Sequence, residues 1–261
     1  MSEALEVRLV LHAEHPSAGE ARTYRATFSN GRHAHVHVAT YERAATRLEI
    51  SRVVPARPVM RWCADTGTQE ALNGGFFTKP EREPLGMVRI DGDHHPDATP
   101  FQSPWDERRG AIQVDDAELR IAPYAELRDL PGDLLQASPI LVRGGEIVVA
   151  DEDPEGLSTT QDEFDSDITA EPLPRTAIGF DATRLFAVSV DGRSDADDGV
   201  TLPEFAVLLR ELGVTDALNV DGGSSSGLIT AGEMRNHPRD DEGELLAQGY
   251  PTPTAFAFVP R

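Results

Sequence analysis

Two short apolar runs in this chain end on the same pair of residues. Leu185-Phe186-Ala187-Val188-Ser189-Val190 leads into Asp191-Gly192-Arg193, and Ala217-Leu218-Asn219-Val220 leads into Asp221-Gly222-Gly223. Each run has the length and apolarity of a buried strand, and ligands of such sheets sit beyond the strand ends. A lone Asp-Gly marks a tight turn; two of them at one sheet edge offer a second reading, a working pair of carboxylates. Adjacent strands lie about 5 Å apart, or about 10 Å with one strand between them. Those separations bracket the roughly 5–9.5 Å used by acid–base and nucleophile pairs in glycoside hydrolysis.

Residues suited to an anion surround the two aspartates. Gly222 and Gly223 lack side chains, so their N–H groups can approach an anion as a small nest. Ser224, Ser225 and Ser226 add hydroxyl donors. Arg193 follows Asp191 by two positions, and Arg175 lies in Pro174-Arg175-Thr176-Ala177-Ile178-Gly179. Either guanidinium could clamp a phosphate with paired N–H bonds, or serve a structural ion pair among 45 acidic residues. Asn73-Gly74-Gly75-Phe76-Phe77 follows the apolar Ala71-Leu72, as at a strand end where backbone approaches a ligand or another strand. Its two phenylalanines read as core.

A strand–helix–strand unit positions the aspartates. Thr201-Leu202-Pro203-Glu204 is a capping box, and Leu202, Phe205, Ala206, Leu208, Leu209 and Leu212 then recur at helical spacing. Gly213 is the expected stop. The short connections predict a parallel crossover, which brings Asp191 and Asp221 out at the same edge. Further strands are expected over 6–11, 24–28, 34–39, 48–54 and 254–259, with hairpins 110–114/119–123 and 140–143/147–150. Residues 151–174 are acidic and polar and read as a surface excursion or lid. With no repeat and no linker, the expectation is a single domain over 1–261. Its class is α+β, with a mixed, largely antiparallel β-sheet, flanking helices and the one crossover.

Two metal readings arise. His33, His35 and His37 alternate along one predicted strand and share a face, a set that could hold zinc. Asp195-Ala196-Asp197-Asp198-Gly199 hints at calcium but fails the EF-hand template, since Gly199 at the sixth position puts Phe205 at the twelfth. A solvated acidic loop is the other reading. No cofactor is expected, with a looser divalent cation such as calcium left open.

The 24 Lys+Arg against 45 Asp+Glu give a net charge of −21 over 261 residues. Nucleic acid and anionic membranes repel such a surface, whereas arginines within a cleft can still receive a phosphorylated small molecule. Lys79 is the only lysine, and Cys63 the only cysteine, so no intrachain disulfide forms. Cys63 reads as a buried small hydrophobe. Residues 1–6 lack a basic segment, and Leu9-Val10-Leu11 is too short for a signal peptide or a span. A soluble, cytoplasmic protein is the expectation.

Six segments occurring in order carry a resemblance: Asn73-Gly74-Gly75-Phe76-Phe77, Ser138-Pro139-Ile140-Leu141-Val142, the Arg175 segment, Val190-Asp191-Gly192-Arg193, Gly199-Val200-Thr201-Leu202-Pro203-Glu204, and 217–225. Over roughly residues 20–259 the chain resembles the phosphodiester glycosidase family. The resemblance implies one α+β domain that hydrolyses a sugar-1-phosphodiester, with an N-acetylglucosamine-like sugar, to free sugar and phosphomonoester. It implies Asp191 and Asp221 as catalytic carboxylates and Arg175 and Arg193 as phosphate ligands. Asn73 and Gly223 would line the pocket, with Gly74, Gly222 and Ser224 as substrate-binding neighbours. Ser224 stands where bacterial relatives often carry a third glycine, which would narrow the pocket. Glu204 reads as the helix cap rather than an acid. Two other classes compete: a metal-dependent phosphoesterase using acidic residues as ligands, and a non-catalytic sugar-phosphate-binding protein.

Overall fold

The structure, a computed structural model, describes residues 5–115, 118–149 and 171–261. Its central sheet has eight strands in the order β1 (Val7–His15), β2 (Glu20–Phe28), β3 (His33–Glu42), β14 (Arg184–Val190), β13 (Arg175–Phe180), β15 (Asp216–Val220), β11 (Ile140–Arg143) and β12 (Glu146–Ile147). A second sheet runs β17 (Glu233–Met234), β16 (Leu228–Thr230), β5 (Ala71–Asn73), β18 (Pro251–Pro260) and β4 (Thr46–Pro58). The third runs β7 (Asp93–His94), β6 (Val88–Ile90), β10 (Asp133–Gln136), β8 (Gly110–Val114) and β9 (Leu119–Pro123). Four helices, α1 (Val59–Thr66), α2 (Trp105–Arg108), α3 (Tyr124–Leu127) and α4 (Leu202–Glu211), accompany them.

Every ladder between these strands is antiparallel, so the mixed sheet expected from the sequence is corrected to an antiparallel one. The reason is β13. It pairs antiparallel with both β14 and β15, so these two run the same way with β13 inserted between them. Both expected hairpins form, and the early strands extend into β1 to β4. The excursion expected over 151–174 lies outside the described residues except for 171–174.

Alternation along β14 sorts its side chains between two cores. Phe186, Val188 and Val190 pack with Leu202, Phe205, Leu208 and Leu209 of α4. Leu185 and Ala187 face Leu48, Leu72 and Phe256 of the second sheet and Ile112 and Leu135 of the third. The helix α1 covers the outer side of the second sheet, where Trp62 and Cys63 pack with Val53, Ala71 and Ala255. Burial pushes the Cys63 thiol up to about 12, in keeping with an inert core residue.

The capping box forms as its sequence predicts. Glu204 N–H donates to Thr201 Oγ1 at 3.3 Å, and Thr201 N–H donates to Glu204 Oε2 at 2.8 Å. Glu204 Oε1 also accepts from Asn30 Nδ2 at 2.6 Å and Arg32 Nε at 2.8 Å, so the cap fastens α4 to the β2–β3 turn. Burial alone would raise the Glu204 carboxyl, but these donors outweigh it and hold it below its ordinary value. A carboxyl lowered by folding stabilises above its unfolded value, about 4.3, and that contribution is lost as pH falls through the folded value. Glu204→Gln is therefore expected to destabilise the protein by about 1–3 kcal/mol at neutral pH in urea unfolding. The gap to the unsubstituted chain should narrow towards pH 3; a gap independent of pH would show that the charge contributes nothing.

Candidate active site

The ends of β14 and β15 set the site, and their relative register decides it. Ser189 pairs with Thr176, which pairs on its other side with Val220; Arg175 pairs with Val190. Asp221, one residue past Val220, is thus level with Val190 and Arg175. By alternation it shares their face, the one towards α4. Asp191 follows Ser189 by two and lies on the opposite face. The two aspartates leave the sheet at the same edge, as expected, and of the two only Asp221 is among the residues lining the cleft described below.

Asp191 is buried, 3% exposed, and surrounded by N–H donors. Its Oδ2 accepts from His37 Nε2 at 2.9 Å and from His237 Nδ1 at 2.8 Å, and its Oδ1 accepts from the His237 N–H at 2.8 Å. Burial pushes this carboxyl up, yet the hydrogen bonds from His237 and His37 together prevail and hold it well below the usual carboxylate range. The same contact raises the exposed His237 imidazole above its ordinary value. His37 Nδ1 continues to Thr23 Oγ1 at 3.0 Å, and Thr23 to His15 Nε2 at 2.7 Å.

The three alternating histidines of β3 each take a different carboxylate. His33 Nδ1 lies 3.1 Å from Asp198 Oδ2, and His35 Nδ1 lies 2.9 Å from Asp197 Oδ1, while His37 meets Asp191. They do not converge on one zinc ion. Asp197 also accepts the His35 N–H at 2.6 Å and Arg25 Nη1 at 3.2 Å. Asp197 thereby fastens the loop to β3, while Asp195, Ala196 and Asp198 stay exposed.

On the other face lies a cleft of about 810 Å³. Asp221, Gly222, Gly223, Ser224 and Ser225 form one wall, with Arg175, Arg193, Lys79, Phe76, Phe77 and Tyr250 among the other lining residues. The rings of Phe77 and Tyr250 lie parallel, 6.2 Å apart, and contribute an aromatic wall where the sequence suggested core. Arg193 adopts a left-handed backbone, φ +58°, and its guanidinium donates to the Arg239 carbonyl at 3.1 Å and pairs with Asp241 at 2.6 Å. A Cβ at Gly223 would sit 3.4 Å from that guanidinium, so the glycine lets the cation lie against the backbone. Arg175 is 4% exposed; its Nε and Nη2 donate to the Val200 and Glu171 carbonyls at 3.2 and 2.9 Å, bracing the cleft wall.

The glycine nest does not form as expected. Gly222 N–H donates to Asp221 Oδ1 at 3.0 Å and Gly223 N–H to the Pro174 carbonyl at 2.9 Å, so both donors are committed within the protein. Asn73 and Gly74 are buried behind the cleft, not on its wall. Asn73 Nδ2 donates to the Asp221 carbonyl at 2.6 Å, while its Oδ1 accepts the Gly227 N–H at 2.9 Å. The Gly74 carbonyl accepts the Asp221 N–H at 3.2 Å. A Cβ at Gly74 would come within 2.2 Å of Thr254 Oγ1 and 2.7 Å of its backbone. The pair clamps the strand end that carries Asp221.

A sequence model described as phosphodiester glycosidase matches residues 66–259, most of the chain. The chain belongs to the phosphodiester glycosidase family. It is 28% identical over 182 residues to mouse (Mus musculus) N-acetylglucosamine-1-phosphodiester alpha-N-acetylglucosaminidase, covering 67% of this chain and 34% of that protein. The Bos taurus counterpart is 29% identical over 182 residues, covering 67% and 33%. The match thus spans about a third of these curated relatives. Among solved structures, the catalytic domain of the zebrafish enzyme of that name, auto-inhibited by its pro-peptide, aligns with TM-score 0.67 at 19% identity, over 100% of this chain and 86% of that one. A hypothetical protein from Synechocystis aligns with TM-score 0.64 at 16% identity, over 98% and 68%. These two likenesses concern the fold.

Within this family member, the structure brings Arg175, Arg193, Asp221, Gly222, Gly223 and Ser224 to one cleft and leaves Asp191, Asn73 and Gly74 off its wall. Sequence reasoning overlooked Lys79, Tyr250 and His237. Lys79 carried a signal, being the one lysine and lying two residues past Phe77; the other two carried none. The clamp yields a test. Asn73→Ala leaves the Gly227 N–H and the Asp221 carbonyl without their side-chain partner, and two such buried groups cost about 2–6 kcal/mol. Urea unfolding should show a loss in that range; a loss under about 0.5 kcal/mol would show that Asn73 does not hold the strand end.

Proposed function

We infer that this chain is a hydrolase cleaving the glycosidic bond of a sugar-1-phosphodiester to free sugar and phosphomonoester. The observation that carries the reading is Asp221 in one cleft with Arg193, Lys79 and the edge of Arg175, beside the Phe77–Tyr250 wall. Family membership supports the same reaction class, and the curated relatives' names supply an N-acetylglucosamine-like sugar.

The displacement of Asp191 from the cleft fits this chemistry. An ordinary glycoside departs as an alkoxide and needs a carboxylic acid to protonate it, hence two carboxylates. A phosphate diester departs as a phosphomonoester, already stable as an anion, so cations replace the acid. Arg193 and Lys79 would take the charge that develops on the departing phosphate. Asp221 would stabilise the oxocarbenium-like carbon and accept the proton of the attacking water. The aromatic wall would receive an apolar sugar face. Asp191 would act as a positioning residue: it anchors His237, two residues from the Arg239 carbonyl that holds Arg193.

Asp197 and Asp198 of the 195–198 loop accept histidine and backbone donors; loss of turnover on EDTA treatment would favour the competing metal-dependent phosphoesterase. A passive sugar-phosphate binder has no use for Asp221, whose charge repels the ligand. With a nitrophenyl phosphodiester of N-acetylglucosamine, free sugar and phosphomonoester are the expected products; a sugar phosphate would overturn the glycosidase assignment. Asp221→Asn should lower kcat by about 10² or more. Arg193→Met should lower kcat/KM by about 10²–10³, as for a lost charge-stabilising group. Turnover unchanged in Asp221→Asn would remove that residue from the mechanism.

A further inference from the structure

The His37–Asp191–His237 cluster lies off the cleft wall, and the proposed hydrolysis uses neither imidazole. We propose that it binds one divalent transition-metal ion of the zinc type, with His37 Nε2, Asp191 Oδ2 and His237 Nδ1 as ligands. The three atoms lie within 4.8 Å of one another and come from three separate segments: β3, the end of β14 and the loop after β17. Two imidazole nitrogens and one carboxylate oxygen suit zinc and its neighbours, whereas calcium and magnesium take oxygen ligands.

The distances agree with ligation. Asp191 Oδ2 lies 2.9 Å from His37 Nε2 and 2.8 Å from His237 Nδ1. Tetrahedral ligands on bonds of about 2.0–2.1 Å stand about 3.3 Å apart, so these atoms would spread by roughly 0.5 Å to admit the ion. The exposed His237 ring is free to close the remaining side, and its exposure leaves a coordination position for water.

Two of the three ligands, Asp191 and His37, already have an outer partner of the kind that orients metal ligands. Asp191 Oδ1 accepts the His237 N–H at 2.8 Å, and His37 Nδ1 meets Thr23 Oγ1 at 3.0 Å. The protons balance by tautomer exchange. His37 would carry its proton on Nδ1, donating to Thr23, whose own hydroxyl turns to His15 Nε2, 2.7 Å away. His237 would carry its proton on Nε2.

A separate observation points to a ligand. The hydroxyls of Ser189 and Thr176, both 0% exposed, have no hydrogen-bond partner among the described residues. Ser189 pairs across the sheet with His37 and precedes Asp191 by two, and Thr176 pairs with Ser189. All four side chains therefore share one face, and a metal-bound water there would give the buried hydroxyls a partner. An ion held here would fasten to the sheet the loop whose Arg239 carbonyl and Asp241 carboxylate hold Arg193.

The test uses the full, untagged chain, stripped with EDTA and desalted, titrated with cobalt(II) chloride by visible absorption and with zinc chloride by calorimetry. One equivalent is expected, with zinc displacing cobalt and raising the melting temperature. His237→Ala, at an exposed position, should weaken zinc binding by about 100-fold or more, and Thr23→Val by about 10–100-fold. Asp221→Asn, on the opposite face, should bind zinc as tightly as the unsubstituted chain, which separates this site from the hydrolytic reading. No stoichiometric binding, or binding undiminished in His237→Ala, overturns the assignment.

Discussion

A carboxylate taken out of water needs donors around it, and the interior of this protein is arranged to give Asp191 three. A buried, unpaired charge would neutralise itself by shifting its pKa upward; here the N–H groups of His37 and His237 reverse the shift. The three donors come from two parts of the chain, one from His37 and two from His237. His37 belongs to β3, next to β14, and His237 to the loop after β17 of the second sheet, so one charge joins two sheets. The joint bears on the cleft without facing it. Arg239 and Asp241, close after His237, hold the Arg193 guanidinium. The loop that Asp191 anchors thus also carries the partners of the Arg193 guanidinium.

The cleft itself rests on a second buried clamp. Asn73 bonds both sides of the turn that begins at Asp221, and Gly74 lets β5 approach β18 closely enough for its carbonyl to meet Asp221 N–H. A side chain at Gly74 would separate the strands and release the end of β15. The short 3-10 turn Gly223–Ser225 that follows exists because Gly223 takes φ +58° against Arg193. Backbone freedom at one residue and close packing at another place one carboxylate against the cations.

Much of this was legible in the amino-acid sequence, and the failures have physical causes. The α4 helix was readable because its cap, periodicity and stop are local. The hairpins were readable because their turn signals, Gly144-Gly145 and Asp115-Asp116, are local too. The helix α1 was not. It begins after Pro58 with no side-chain cap and no acidic first turn, so nothing separates Val59–Thr66 from the strand before it. The relative faces of Asp191 and Asp221 were out of reach for a different reason. They depend on β13 lying between β14 and β15 and on a one-residue offset, and one residue moves a side chain to the other face. His237, 46 positions beyond Asp191, has no spacing that marks it.

The acidic exterior and the cleft cations are compatible because they act over different distances. A net charge of −21 repels anions at long range, but charges beyond about 8 Å are largely screened at physiological salt. Within the cleft the field belongs to Arg193, Lys79 and Arg175 on one side and Asp221, Glu171 and Asp241 on the other. Asp241, 76% exposed, already occupies Arg193. The Arg193 side chain is only 19% exposed, so the pair sits at the rim of the cleft, with its carboxylate in water and its guanidinium largely out of it. Asp241 and the Arg239 carbonyl together fix the Arg193 guanidinium at the cleft wall. Held this way, the guanidinium keeps one orientation, which an unpaired arginine at the mouth of a cleft would not.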